Sequence, residues 1–121
     1  VLDDFGYVYL AGSTSSSNEN ASGTMKNIIA TSDAFQKDVE GGRDAFVVKF
    51  SSSGKRMWAT YFGGNKNDFG IAMSHGRFGD VYLAGYTESV KNLTYNYYQK
   101  SYGGAQDAYF ADHTIVKSLR Y

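Results

Sequence analysis

Residues 5–14 read Phe5-Gly6-Tyr7-Val8-Tyr9-Leu10-Ala11-Gly12-Ser13-Thr14, and residues 78–87 read Phe78-Gly79-Asp80-Val81-Tyr82-Leu83-Ala84-Gly85-Tyr86-Thr87. Eight of the ten positions match at an offset of 73, so the chain repeats itself, and the repeat decides how everything else is read. A second pair follows in the same order. Asp33-Ala34-Phe35-Gln36-Lys37 answers to Asn96-Tyr97-Tyr98-Gln99-Lys100, and Gly41-Gly42-Arg43-Asp44-Ala45-Phe46 to Gly103-Gly104-Ala105-Gln106-Asp107-Ala108-Tyr109, at an offset of 62 to 63. The drop of ten places an insertion in the first copy, in the polar run from Ser15 to Thr24, which has the composition of a surface loop.

Strand candidates lie between these motifs: Val8 to Ala11, Ala45 to Phe50, Met57 to Phe62, a short Ile71 to Met73, Val81 to Ala84 and Ala108 to Phe110. Ser51-Ser52-Ser53-Gly54 reads as a hairpin loop with glycine where φ must be positive, so the strands on either side of it pair antiparallel. Gly63-Gly64-Asn65-Lys66-Asn67-Asp68 reads as the next turn. Phe46-Val47-Val48 and Val81-Tyr82-Leu83 are continuous apolar runs, which predicts sheets covered on both faces. Eleven Tyr, eight Phe and fourteen Gly in 121 residues suit short strands joined by tight loops. The reading is all-β: antiparallel sheets forming the blades of a β-propeller, about two repeats of it, and therefore an incomplete ring. One repetitive region spans 1–121. Copy 1 runs over about 3–73 with its surface loop at about 15–26, copy 2 over about 74–110, and 111–121 is a diverged tail.

Composition excludes several functions. Twelve basic and twelve acidic residues cancel, so no general attraction to nucleic acid or to an anionic membrane is expected. There is no cysteine for a disulfide, a thiolate nucleophile or a cysteine metal site. No run approaches the roughly 18 apolar residues of a membrane-spanning helix, and Val1-Leu2-Asp3-Asp4 is no signal peptide. A start that is not Met and falls inside a repeat predicts a processed or fragmentary chain.

Each motif that suggests chemistry also has a simpler structural reading. Asp44 and Asp107 each follow a Gly-Gly bend; they could line a channel as metal ligands, but a strand-entrance aspartate that accepts turn N–H groups is the preferred reading. Asn65-Lys66-Asn67-Asp68-Phe69-Gly70 has the oxygens and glycine of a calcium loop, yet Phe69 stands at the fifth position and Gly76 at the twelfth, where ligands are required. Trp58 and Tyr61 are three apart and face opposite sides of a strand; packing between blades is preferred for Trp58 over a sugar platform. Ser51 to Trp58 lacks the Asp of a sialidase Asp-box. His75 and His113 have no counterpart in the other copy, and no nucleophile elbow or phosphate loop is present. The sequons at Asn20 and Asn92 matter only in a eukaryotic secretory pathway. No catalytic residue, metal ligand or cofactor site is assigned.

Three stretches in fixed order carry a resemblance: Gly79-Asp80-Val81-Tyr82-Leu83-Ala84-Gly85, Gly41-Gly42-Arg43-Asp44-Ala45-Phe46-Val47-Val48-Lys49-Phe50, and Gly54-Lys55-Arg56-Met57-Trp58-Ala59-Thr60-Tyr61-Phe62-Gly63-Gly64. Over roughly residues 3 to 110 the chain resembles the SBBP-type bacterial β-propeller repeat family. It departs from the family's pattern in having no proline, with Asn27-Ile28-Ile29 and Asn92-Leu93-Thr94 in the loops where the family carries it. The resemblance implies a non-enzymatic structural or binding module of a larger bacterial cell-surface or secreted protein, with a protein or carbohydrate ligand. Closing the ring needs further blades from the parent chain or from a homo-oligomer. The alternative is part of a propeller glycosidase or lyase whose catalytic residues lie in other blades.

Overall fold

A computed structural model describes residues 1–16, 29–77, 80–89 and 106–111. The fold is all-β and antiparallel. Six strands follow in chain order: β1 (Val8–Thr14), β2 (Asp44–Phe50), β3 (Arg56–Phe62), β4 (Asp68–His75), β5 (Val81–Thr87) and β6 (Asp107–Ala111). They form two sheets, ordered β1-β2-β3 and β4-β5-β6. No helix among the described residues is long and apolar enough to cross a membrane.

The β2–β3 hairpin turns where the sequence places it. Gly54 sits at φ +84, the left-handed region that the Ser51–Gly54 loop demands, and its N–H donates to the Ser51 carbonyl at 2.9 Å. Strands β1 and β5 run past the expected Ala11 and Ala84 to Thr14 and Thr87, because the ladder continues through Gly12 and Gly85. The Phe46 ring covers Gly12, 3.0 Å from where its Cβ would stand, so the glycine leaves no gap. Strand β4 is the larger revision: eight residues in place of Ile71 to Met73. A bulge between Gly70 and Ala72 inserts Ile71 and breaks the period-2 signal.

The sequence repeat recurs as a repeat of hydrogen bonds. The Gly76 N–H donates to the Asp80 carbonyl at 2.8 Å, and 73 residues earlier the Asp3 N–H donates to Tyr7 at 3.1 Å. In the second sheet His75 pairs with Val81 and Ser74 with Tyr82. In the first, Leu2 bridges Val8, while Val1 and Tyr9 exchange bonds of 2.8 and 2.9 Å. Val1 and Leu2 thus occupy the places of the last residues of β4, on the edge of β1. The sheets divide at Gly63–Asn67, so β4 belongs with β5, whereas the repeat read from sequence divides at 73/74. A period can be cut anywhere without changing its offset, and hydrogen bonding alone fixes where one sheet ends.

The core lies between the sheets. Tyr9, Ala45, Val47, Trp58 and Phe62 on one side of the first sheet pack against Val81 and Leu83 of the second, with Tyr7, Ala11 and Met73 at the margin. Alternation along each strand selects these residues. Val47 and Val48 are both buried, as the continuous run predicts. Residues 29–36 run along the edge of β3 that faces away from β2. The Thr31 N–H donates to Ala59 O at 3.0 Å and the Tyr61 N–H to Gln36 O at 3.1 Å, which protects that edge from pairing elsewhere.

Candidate functional site

Two Gly-Gly pairs and two buried aspartates join the sheets at one end. Gly41 has φ +74, and a Cβ there would stand 2.6 Å from the Asn65 backbone; a Cβ on Gly42 would meet Asn67 Oδ1 at 2.6 Å. The Gly63–Asn67 turn therefore rests directly on the first Gly-Gly bend. The Arg43 carbonyl accepts the Asp68 N–H at 2.6 Å in a parallel bridge that leads the chain into β4.

Asp44 is fully buried at the start of β2. Its Oδ2 accepts the Glu40 N–H at 2.9 Å and the Gln36 side-chain amide at 2.5 Å. Gln36 in turn accepts the Gly63 N–H at 2.9 Å and donates to Asp38 O at 2.7 Å, tying three turns together. Oδ1 of Asp44 has no hydrogen-bond partner, and a Cβ on Gly63 would lie 2.4 Å from it. Burial pushes the Asp44 carboxyl up to about 7, with the charges of Asp68 and Glu40 adding to it against the two hydrogen bonds. Asp68, also fully buried, accepts from Gly64 N at 2.8 Å, from Ser89 Oγ at 2.6 Å and from the Thr87 hydroxyl. Asp3 accepts Phe5 N and Tyr7 N, both at 2.9 Å, and the Tyr9 hydroxyl at 2.9 Å. Burial works against its charge, but the Tyr7 N–H, the Tyr9 hydroxyl, the Phe5 N–H and Lys49 outweigh it and hold its pKa below the ordinary value. These carboxylates brace turns.

The remaining sequence candidates separate. Trp58 is buried in the core, edge-on to Tyr9 with ring centroids 6.3 Å apart. Tyr61 faces the other side of β3, buried, with its hydroxyl donating to Ser16 O at 2.8 Å; burial, with Asp38 and Asp44, pushes it up to about 12. Asn67 leads straight into strand β4, which Asp68 opens. Among the described residues no group of three His, Cys, Asp or Glu is placed to hold a metal. His75 ends β4 half-buried beside the Gly76 carbonyl. Asp107 opens β6 opposite Thr87, as Asp44 opens β2 opposite Thr14. His113, Asn20, Asn92, Gln99 and the tail beyond Ala111 lie outside the described residues.

From sequence Asp68 belongs to a calcium-like loop rather than to the buried turn braces, and Gln36 has no role beyond its place in the repeat. Gln36 and Gln99 recur in matched segments, as do Thr14 and Thr87, so recurrence was the available signal.

The most distinctive exposed strip is apolar. Val8 and Leu10 are 41% and 52% exposed, while their repeat images Val81 and Leu83 are each 3% exposed because they face the first sheet. On the opposite face the contrast inverts: Tyr9 is buried against the second sheet, whereas Tyr82, its image, is half-buried beyond it. There the Phe69 and Tyr86 rings stack at 4.5 Å. Val8 and Leu10 thus form an exposed strip on the first sheet, while Tyr82, Ala84 and Tyr86, all half-buried, lie on the side of the second sheet turned away from the first.

In comparisons with known proteins, no family model matches the chain and no curated protein matches it.

Proposed function

We propose that the chain is a stretch of about two repeats of a β-propeller, acting as a non-enzymatic structural or binding module of a larger bacterial cell-surface or secreted protein. The supporting observation is the contrast between Leu10 and Leu83: one repeated position is open in the first sheet and covered in the second. Two sheets meet through unlike faces, and such contacts either close into a ring or extend without limit. Propellers close with about four to eight blades, so the module's ligand site belongs to the completed ring. The ligand is a protein or a carbohydrate, in keeping with the absence of net charge on the chain. The bracing roles of Asp3, Asp44 and Asp68 favour a structural over an enzymatic use of the acidic residues.

Structure determination of the full-length parent, followed by a glycan array and a hydrolysis assay on it, tests this reading. A closed ring of four-stranded sheets that binds without turnover is expected. An open pair of sheets refutes the propeller, and glycan cleavage refutes the non-enzymatic role.

A further inference from the structure

Two fully buried carboxyls stand where the sheets join, and they are supplied unequally with donors. Asp68 receives the Thr87 hydroxyl on Oδ1, and Gly64 N and Ser89 Oγ on Oδ2. Asp44 receives two donors on Oδ2, while its Oδ1 is buried against Gly63 with none. A neutral carboxyl tolerates such an oxygen, whereas a charged one without a partner is strongly destabilising. The charges that reach Asp44 are those of Asp68 in β4 and Glu40 in the preceding loop, both acidic. Of the other ionisable groups around it, Asp38 accepts the Val39 N–H and Tyr61 of β3 directs its hydroxyl to Ser16. Arg43 turns its guanidinium over the Phe69 ring, and Lys66 of the covering turn is exposed.

Gly63, itself buried, covers the unmet oxygen, and two residues further on Asn65 and Lys66 are exposed, so lifting this turn admits water. The bonds that hold the turn to the first sheet and its loops include the Gly63 N–H to Gln36 at 2.9 Å and the Asp68 N–H to Arg43 O at 2.6 Å. We propose that Asp44 is a proton-operated latch between the sheets: its neutral carboxyl holds the Gly63–Asn67 turn down on the Gly41–Gly42 bend, and its ionisation lifts that turn while both ladders stay paired. Gln36 couples the two events, since it donates to the Asp44 carboxyl and accepts from Gly63. A carboxyl pushed up to about 7 by burial puts the change near neutral pH. The closed turn holds a proton that the open one releases, so opening becomes easier as pH rises from the ordinary 3.8 towards 7 and levels off above it. The opening constant then rises up to about tenfold per pH unit, and roughly a hundredfold from pH 5 to pH 8.

Amide hydrogen exchange resolved by residue, corrected for intrinsic rates and run from pH 5 to pH 8 on the whole chain and on Asp44→Asn, tests the latch. In the unaltered chain the Gly63 and Asp68 amides are expected to exchange through an opening smaller than global unfolding. At pH 8 they should exchange at least tenfold faster than the Val47 and Val48 amides of the central strand β2, with the hundredfold rise from pH 5. Asp44→Asn should keep them protected at both pH values. Gly63 and Asp68 amides protected as fully as those of Val47 and Val48 overturn the proposal, even where the whole chain loses stability with pH. An opening that does not change with pH, or one that keeps its pH dependence in Asp44→Asn, overturns it as well. The comparison within the unaltered chain stands whether or not the variant folds.

Discussion

Asp44 should make the protein less stable in neutral solution than in mild acid, and Asp44→Asn should remove that dependence. The carboxyl has no solvent exposure, one oxygen without a partner, and a pKa raised to about 7 from an ordinary 3.8. A raised folded-state value means that the native chain holds a proton the unfolded chain has released, throughout the interval between those two values. Unfolding stability therefore falls as pH rises through that interval, at up to about 1.4 kcal/mol per unit. Integrated from pH 5 to pH 8, the loss is about 3 kcal/mol. Asparagine keeps the oxygen that accepts from Glu40 and Gln36 and places a neutral group against Gly63, so it stands in for the protonated acid at every pH. Urea unfolding followed by the fluorescence of the single, buried Trp58 gives both profiles. The two proteins should be of similar stability at pH 5 and the variant the more stable at pH 8. Below that window Asp3 acts with the opposite sign: its pKa is lowered, so its contribution is lost as acid protonates it. A parent chain equally stable at pH 5 and pH 8, or an asparagine variant that keeps the slope, refutes the assignment of a buried, protonated Asp44.

Other consequences follow from packing. Trp58→Ala removes the largest ring of the inter-sheet core and should cost about 3–5 kcal/mol in the same urea titration. Gly63→Ala drives a methyl to 2.3 Å from Asp44 Cγ and should cost about 2 kcal/mol or more, against about 1 kcal/mol for Gly54→Ala, where space is open and only the positive φ resists. Leu83→Ala should destabilise by about 2–5 kcal/mol, whereas Leu10→Ala at the same repeat position should change the dilute monomer by less than about 0.5 kcal/mol.

Much of the architecture was legible because it rests on local chemistry. The hairpin at Ser51–Gly54 is written in its glycine, and β2 and β3 in the apolar runs beside it. Strand β4 was legible only in part: Gly70, Ser74 and His75 give no alternation, and the bulge at Ile71 shifts what remains. The turn-holding place of Asp44 follows from the Gly-Gly bend before it. Asp68 and Gln36 gave no comparable sign, since Thr87 and Ser89 lie 19 and 21 residues from Asp68, and Gly63 lies 27 from Gln36. Only the folded chain brings such partners together. The open strip at Leu10 was hidden for a related reason: its sequence matches that of Leu83, and burial distinguishes the two.

The stacking of one sheet's tyrosine-bearing face on the next sheet's leucine-bearing face is tested most directly by nuclear Overhauser contacts at Gly70. A Cβ built there lies 3.3 Å from Leu83 Cδ1 and 3.4 Å from Ala45 Cβ, and the Gly70 N–H donates to Ser13 Oγ across the interface at 3.0 Å. Cross-peaks from the Gly70 α-protons to both the Ala45 and the Leu83 methyls are predicted. A spectrum with the pairings inside each sheet intact and the Gly70–Ala45 contact missing would contradict the account.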